Sequence, residues 1–309
     1  MSEPRIIEFV VETAGERLDK LLTAQVPDLT RSQLQALIKD GAVSVNDKAI
    51  KPGIKLRGGE NVRIVIPPPP PAELFPENIE LTVLYEDDQL AVIDKPAGMV
   101  VHPGAGVESG TLANALLWRY PEIATMKGQR RQGIVHRLDK YTSGLMVIAR
   151  TDAALNGLMK QFQGRTVEKF YIALLESCPK AKIGQIALPI DRDPSTRIKM
   201  IVRKSGKPAV TDYEVLEEGF KHGQALVRAQ IHTGRTHQIR VHFAHIGCPV
   251  VGDSVYGYTK QRIKLARTFL HASKLSFDHP ITGERMNFEA DLPLKLVRCL
   301  DSLRPNPTL

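Results

Sequence analysis

Residues 134–148, Ile-Val-His-Arg-Leu-Asp-Lys-Tyr-Thr-Ser-Gly-Leu-Met-Val-Ile, set one carboxylate, Asp139, between two cations, Arg137 and Lys140. Nearby positive charge lowers a carboxyl pKa from its usual value of about 3.9, so Asp139 is expected to be ionised at neutral pH. An ionised carboxylate in a loop is available as a nucleophile or a proton acceptor. It is equally able to bond the amides of its own turn, and residue type and spacing leave both roles open. A second group stands out in Thr233-Gly-Arg-Thr-His-Gln-Ile-Arg-Val-His242. Thr236 is placed to cap a helix whose apolar face is Ile239, Phe243 and Ile246. Arg240 then lies at the edge of a buried face, where a guanidinium needs a carboxylate partner.

Other chemistries fit less well. His232, His237, His242 and His245 fall within fourteen positions, but their spacing is not that of a metal-binding helix and no Cys or acid joins them. Glycosidic hydrolysis generally uses two carboxylates across the bond, whereas the loops near Asp139 are basic and offer no second acid. Gly104 and Gly106 in His-Pro-Gly-Ala-Gly lack the Lys-Ser/Thr of a phosphate-cradling loop.

The elements around Asp139 are expected to be a strand at Ile134–Val135, a polar turn, and a strand from Leu145 to Ile148. Further strands are read at Leu81–Tyr85, Leu90–Ile93, Val167–Leu175, Gln224–Ile231 and Leu270–Phe277. Helices are read at Thr111–Trp118, after Thr151 or Asp152 with Leu155, Leu158, Met159 and Phe162 on one face, and at Leu294–Leu303. Trp118 is expected in the core or at its rim. Before these, Gly15-Glu-Arg-Leu-Asp-Lys-Leu-Leu22 opens one helix, Thr30 caps a second carrying Leu34, Leu37 and Ile38, and Gly41 ends it. Short strands Val43–Val45 and Val62–Ile66 follow, with an Asn46-Asp47 turn. Five prolines at 67–71 read as a stiff spacer between domains.

A length of 309 residues suits more than one domain, and 42 Lys+Arg against 34 Asp+Glu favour a polyanionic partner. Lys127, Arg130 and Arg131 precede the Asp139 loop, and Arg192, Arg197, Lys199, Arg203, Lys204 and Lys207 crowd one turn-rich segment read as RNA-facing. Cys178, Cys248 and Cys299 are too far apart for a metal or redox pair, which points to reduced thiols. The opening Met-Ser-Glu-Pro-Arg begins no signal peptide and no apolar run reaches membrane-span length, so a cytoplasmic protein with no membrane association is expected.

Gly-Glu-Arg-Leu-Asp-Lys from residue 15, followed by Thr30-Arg-Ser-x-Leu and Leu37-Ile-Lys-Asp-Gly-x-Val-x-Val-Asn46, resembles the α-L RNA-binding module. That resemblance implies an RNA contact set of Arg31, Ser32, Gln33, Lys39, Lys48, Lys51 and Lys55, holding phosphates rather than reading bases.

Four ordered motifs carry a second resemblance: His136-Arg-Leu-Asp-Lys-x-Thr-Ser-Gly-Leu145, Glu168-Lys-x-Tyr-x-Ala173, Gly234-Arg-Thr-His-Gln-Ile-Arg-Val-His242 and Leu270-His-Ala272. Together with the module in front they are similar to the RluA/RluD family of pseudouridine synthases, of the type acting on large-subunit ribosomal RNA. Tyr141 departs from the Asp usual there. The resemblance implies an α+β protein: an α-L domain at 1–66, a proline-rich linker at 67–78, and a catalytic domain at 79–309 with a mixed, largely antiparallel sheet flanked by helices. It implies isomerisation of a uridine, so that no cofactor or metal is required. By the same resemblance Asp139 is expected to act on the ribose, Arg240 to pair with it, and Tyr171 to stack on the base and assist at C5, with Leu270 packed beneath. His136, Thr142, Arg235 and His237 contact substrate, and Arg137 fills the gap left when the uridine swings out of its helix. The implied partner is a ribosomal RNA stem-loop, with no obligatory protein partner. From the residues alone Tyr171 and Leu270 read as ordinary sheet core. The alternative function is a non-catalytic RNA-binding protein of ribosome assembly.

Overall fold

The computed structural model describes residues 4–51, 53–66, 74–104, 106–126, 132–196 and 199–305. The chain separates into two compact units, Met1–Ala72 and Glu73–Leu309. The expected proline spacer at 67–71, with Lys127, Arg130, Arg131 and Arg197, lies outside the described residues.

The first unit runs β1 (Arg5–Val10), α1 (Leu18–Gln25), α2 (Arg31–Lys39), β2 (Val43–Val45), β3 (Lys48–Ala49) and β4 (Asn61–Ile66), its antiparallel strands ordered β1-β4-β2-β3. Apolar residues at helical spacing, Leu18 and Leu22 on α1 and Leu34 and Ile38 on α2, close over Val43, Val62 and Ile64. Thr30 caps α2 in a reciprocal box with Gln33, satisfying amides that the first turn leaves unpaired. Asn46 and Asp47 both adopt left-handed backbone, φ 47° and 61°, as a two-residue hairpin requires. Asp19 is fully buried between the helices and accepts from Arg17, Arg31 and Gln35. The Arg17 hydrogen bond, set against burial, holds its carboxyl well below the usual range.

In the second unit the elements are β5 (Thr82–Glu86), β6 (Leu90–Lys95), α3 (Leu112–Arg119), β7 (Ser143–Ala149), α4 (Asp152–Gly164), β8 (Glu168–Leu175) and β9 (Ile183–Ala187). There follow β10 (Ile190–Arg192), β11 (Met200–Val202), β12 (Val210–Glu218), β13 (Ala225–Ile231), α5 (Gln238–His245), β14 (Leu270–Asp278), β15 (Arg285–Glu289) and α6 (Leu294–Leu303). Nine strands form one sheet in the order β5-β6-β7-β14-β8-β13-β12-β9, with β15 on β14. Only β7–β14 is parallel, so the sheet is mixed and largely antiparallel. Every residue of β7 is buried, as a continuous apolar run covered on both faces should be. Its pairing with β14 depends on Gly144 (φ 117°), where a Cβ would stand 2.3 Å from the Ala272 carbonyl oxygen.

Three local expectations are corrected. Ile134–Val135 is no strand; Ile134 makes a single bridge to Ile148. The imidazole of His136 takes the Val147 amide at 3.0 Å, where a continuing strand would have offered a carbonyl. The α5 cap is His237 in left-handed backbone rather than Thr236, because the Gln238 side chain turns back to accept from the Arg235 amide and the Thr233 hydroxyl. Trp118, expected in the core or at its rim, is instead 54% exposed, on the solvent side of α3 with Arg119.

Candidate active site

Asp139 ends up in the turn directly before β7, pinned by the Thr142 amide donating to its carbonyl at 3.1 Å. It faces a cleft of about 700 Å³, lined by the 134–142 loop, α4, β8, the 231–240 segment and Leu270. The lining carries the cations Arg137, Arg165, Lys169, Arg235 and Arg240 and one acid, Asp139.

Arg240, buried on α5, donates from Nη1 to Asp139 Oδ2 at 3.0 Å. Its other edge grips Asp253, Nε to Oδ2 at 2.6 Å and Nη2 to Oδ1 at 2.9 Å. Burial opposes the guanidinium charge, but Asp253 and then Asp139 hold its pKa above the ordinary arginine value. Asp253 also resists ionisation through burial and is nevertheless held below the usual carboxylate range by Arg240. Two carboxylates around one guanidinium leave a net negative charge, and of the two only Asp139 lines the cleft.

The β8–β14 register pairs Tyr171 with Ala272 and Leu270 with Ala173, making Tyr171 and Leu270 diagonal neighbours in the cleft floor. Both belong to the sheet core and both line the cleft, so the core reading and the site reading describe the same side chains. Burial, then the charge of Asp139, pushes the Tyr171 hydroxyl above its ordinary pKa and keeps it a phenol.

The family described as RNA pseudouridylate synthase matches residues 89–245, and the S4 domain matches residues 16–62. An uncharacterized RNA pseudouridine synthase of Aquifex aeolicus is 46% identical over 301 residues, covering 95% of each chain. A protein of Neisseria meningitidis named ribosomal large subunit pseudouridine synthase D is 45% identical over 306 residues, covering 95% of this chain and 80% of that one. Among solved structures, human RNA pseudouridylate synthase domain containing 1 superposes with a TM-score of 0.58 at 30% identity, covering 72% of this chain and 89% of that one. The chain belongs to the RNA pseudouridylate synthase family.

Like its relatives it is an RNA pseudouridine synthase, an isomerase, with an N-terminal S4 domain. The other residues expected at the synthase site fall into two groups. Arg137, exposed, Arg235 and His237 line the cleft. Arg235 Nε donates to the Pro208 carbonyl at 3.1 Å, and His237 Nδ1 is hydrogen-bonded to the Tyr256 hydroxyl at 2.7 Å. Burial lowers the His237 pKa against the pull of Asp139. His136 and Thr142 are set deeper. His136 stacks on Phe162 with centroids 4.7 Å apart, and burial, then the charge of Lys169, pushes its pKa down to about 3, leaving a neutral acceptor for Val147. The Thr142 hydroxyl is buried at the cleft wall without a hydrogen-bond partner among the described residues.

In the S4 unit, Lys39, Lys48, Lys51 and Lys55 are exposed and in no ion pair among the described residues. Arg31 and Gln33 are already engaged, the first with Asp19 and the second in the α2 cap. Ser32 lies at the start of the same helix.

Sequence reasoning missed Asp253, Tyr256 and Lys169. A signal for Asp253 existed: a buried guanidinium has two edges, and Asp253 is the first acid after Arg240. Gly252 before it (φ 74°) lets the chain pass where a Cβ would meet the Arg267 carbonyl oxygen at 2.1 Å. Tyr256 lies beneath the guanidinium, 5.0 Å from ring centroid to Arg240 Cζ, and its hydroxyl accepts from the Met200 amide of β11 at 2.8 Å.

Proposed function

We propose that this synthase converts specific uridines of large-subunit (23S) ribosomal RNA to pseudouridine, with Asp139 as its catalytic carboxylate. The observation that carries the reading is the 3.0 Å contact between Arg240 and Asp139, the one acid among the residues lining a cationic cleft. One carboxylate suits an isomerisation. The N1–C1′ bond breaks, the base turns, C5 bonds to C1′, and the C5 proton is lost while N1 gains one. Asp139 acts on the ribose, by attack at C1′ or removal of the C2′ proton, and both routes need it charged. Arg240 keeps that charge in place, Tyr171 stacks on the base as a phenol, and Leu270 packs beneath.

A uridine inside folded RNA must first be extruded, at a cost of a few kcal/mol in lost stacking. Arg137, exposed at the cleft, is suited to fill the space with its planar guanidinium. The S4 lysines and the basic β10–β11 hairpin supply salt-dependent affinity for the phosphate backbone. Ribosomal RNA as substrate is supported by the relatives named ribosomal large subunit pseudouridine synthase D. On this reading the protein works in the cytoplasm, in ribosome biogenesis.

The test is to map pseudouridines in large-subunit RNA from cells lacking the protein, then restore wild type or Asp139→Asn. Wild type should restore the missing sites, while Asp139→Asn should restore none and still bind the RNA. Full restoration by Asp139→Asn would remove Asp139 from the chemistry, and an unchanged map in the deletion strain would exclude this RNA as substrate.

A further inference from the structure

We infer that Lys169 is an anion site of the cleft, holding a phosphate of the substrate strand beside the extruded nucleotide. This deepens the proposed function and rests on it. Lys169 lies on β8 two residues before Tyr171, so the two side chains leave the same face of the sheet, and both line the cleft. It is only 8% exposed. Among the described residues its ammonium makes one long hydrogen bond, Nζ to the Val167 carbonyl at 3.3 Å, lies 5.5 Å from the centre of the Phe162 ring, and bears on the imidazole of His136. An ammonium carries three donors, so two are unspent among the described residues.

The other buried lysine shows the contrast. Lys95 is fully buried but donates to the Pro96 and Met99 carbonyls at 2.8 and 2.9 Å, and it does not line the cleft. Lys95 is spent within the fold; Lys169 is not. Burial lowers Lys169 to about 8, so it remains largely charged at neutral pH, and no carboxylate is paired with it among the described residues. The one acid of the cleft lining belongs to Arg240. A desolvated cation without a counter-ion is costly, and an entering anion offsets that cost. A uracil carbonyl would accept the hydrogen bond but brings no charge. RNA brings a phosphate at every nucleotide, and Arg165 and Arg137 extend the cationic lining from the same cleft.

Lys169→Met, Lys169→Arg and wild type should be compared on transcribed large-subunit ribosomal RNA, measuring Kd against salt together with kcat and KM. For Lys169→Met we expect KM to rise about tenfold or more, kcat to change less than threefold, and the slope of log Kd against log salt to lessen by about 0.7 to 0.9. Lys169→Arg should keep the slope. Removing an unpaired buried charge should leave Lys169→Met at least as resistant to thermal unfolding as wild type, which separates lost binding from lost folding. An unchanged slope overturns the phosphate assignment; with a fallen kcat it moves Lys169 to the base, and with kcat and KM also unchanged it removes Lys169 from binding. Wild-type turnover on the same RNA tests the function itself, and the binding slope is read whether or not it occurs.

Discussion

Arg240 is gripped by Asp253 through two hydrogen bonds on one edge and touches Asp139 through a single one on the other. The asymmetry assigns the two carboxylates different work. Asp253, buried and further tied by the Val255 and Tyr256 amides, fixes the guanidinium from behind. Asp139 is aligned through Oδ2 and keeps Oδ1 without a protein partner among the described residues.

Arg240→Met should therefore reduce kcat far more than RNA affinity. Loss of a preorganised charge partner in a site of this kind costs about 100-fold or more. It also leaves Asp253 buried and unpaired, at about 3 to 5 kcal/mol of stability. Single-turnover rates, filter binding and urea unfolding read the three effects apart; an unchanged rate would refute the pairing as a catalytic device.

On the proposed function Asp253 acts through Arg240, as a positioning residue. Asp253→Asn should lower kcat about 100-fold, the scale on which small misplacements act, with KM within about threefold. The double variant Arg240→Met/Asp253→Asn separates positioning from folding. It removes the unpaired buried charge while the side-chain oxygen at 253 still accepts from the Val255 and Tyr256 amides, so it should regain stability lost in Arg240→Met without returning the rate. A double variant that regained activity would show that the pair serves only to hold the fold.

Much of this site was legible before the structure, and the rest was not for physical reasons. Arg240 stands out because a charged side chain beside a buried apolar face demands a partner, and Asp139 because it is a lone loop carboxylate between two cations. Thr30 caps its helix as read and, of the two candidates Thr151 and Asp152, Thr151 is the cap, since capping is a local hydrogen bond between near neighbours. The failures came where a distant side chain replaced a local interaction. His136 ended the expected Ile134–Val135 strand by taking an amide from β7, and Gln238 displaced Thr236 as the organiser of α5. Lys169 looked like one charge in a strand because its sequence does not show that Phe162 and Val167 close over it.

His136 gives a pH prediction. Burial, then Lys169, depresses its folded pKa to about 3, against about 6.5 for an unfolded histidine. Between those values the unfolded chain binds a proton that the folded chain does not, so stability should fall as pH drops from about 6.5 toward 3, by up to about 1.4 kcal/mol per pH unit from this group. His136→Gln, whose side-chain oxygen can still accept from Val147, should flatten that slope. Denaturant titrations at neutral and mildly acidic pH check it, and equal slopes in the two proteins would show that His136 already titrates normally in the fold.

The S4 unit offers a separate test because its exposed cations belong to a different compact unit from the residues that line the cleft. Lys48, Lys51 and Lys55 are exposed, and none is in an ion pair among the described residues. Their replacement by Gln should therefore leave the fold of the unit intact. If all three meet phosphates, each contributes about 0.7 to 0.9 to the salt dependence of binding, so the triple variant should lessen the slope of log Kd against log salt by about 2 to 3. Arg31 should contribute less, because Asp19 already holds its guanidinium. At saturating RNA kcat should be unchanged, since these lysines hold the substrate without touching the reacting atoms. A triple variant with the wild-type slope would mean that the RNA is bound without this surface.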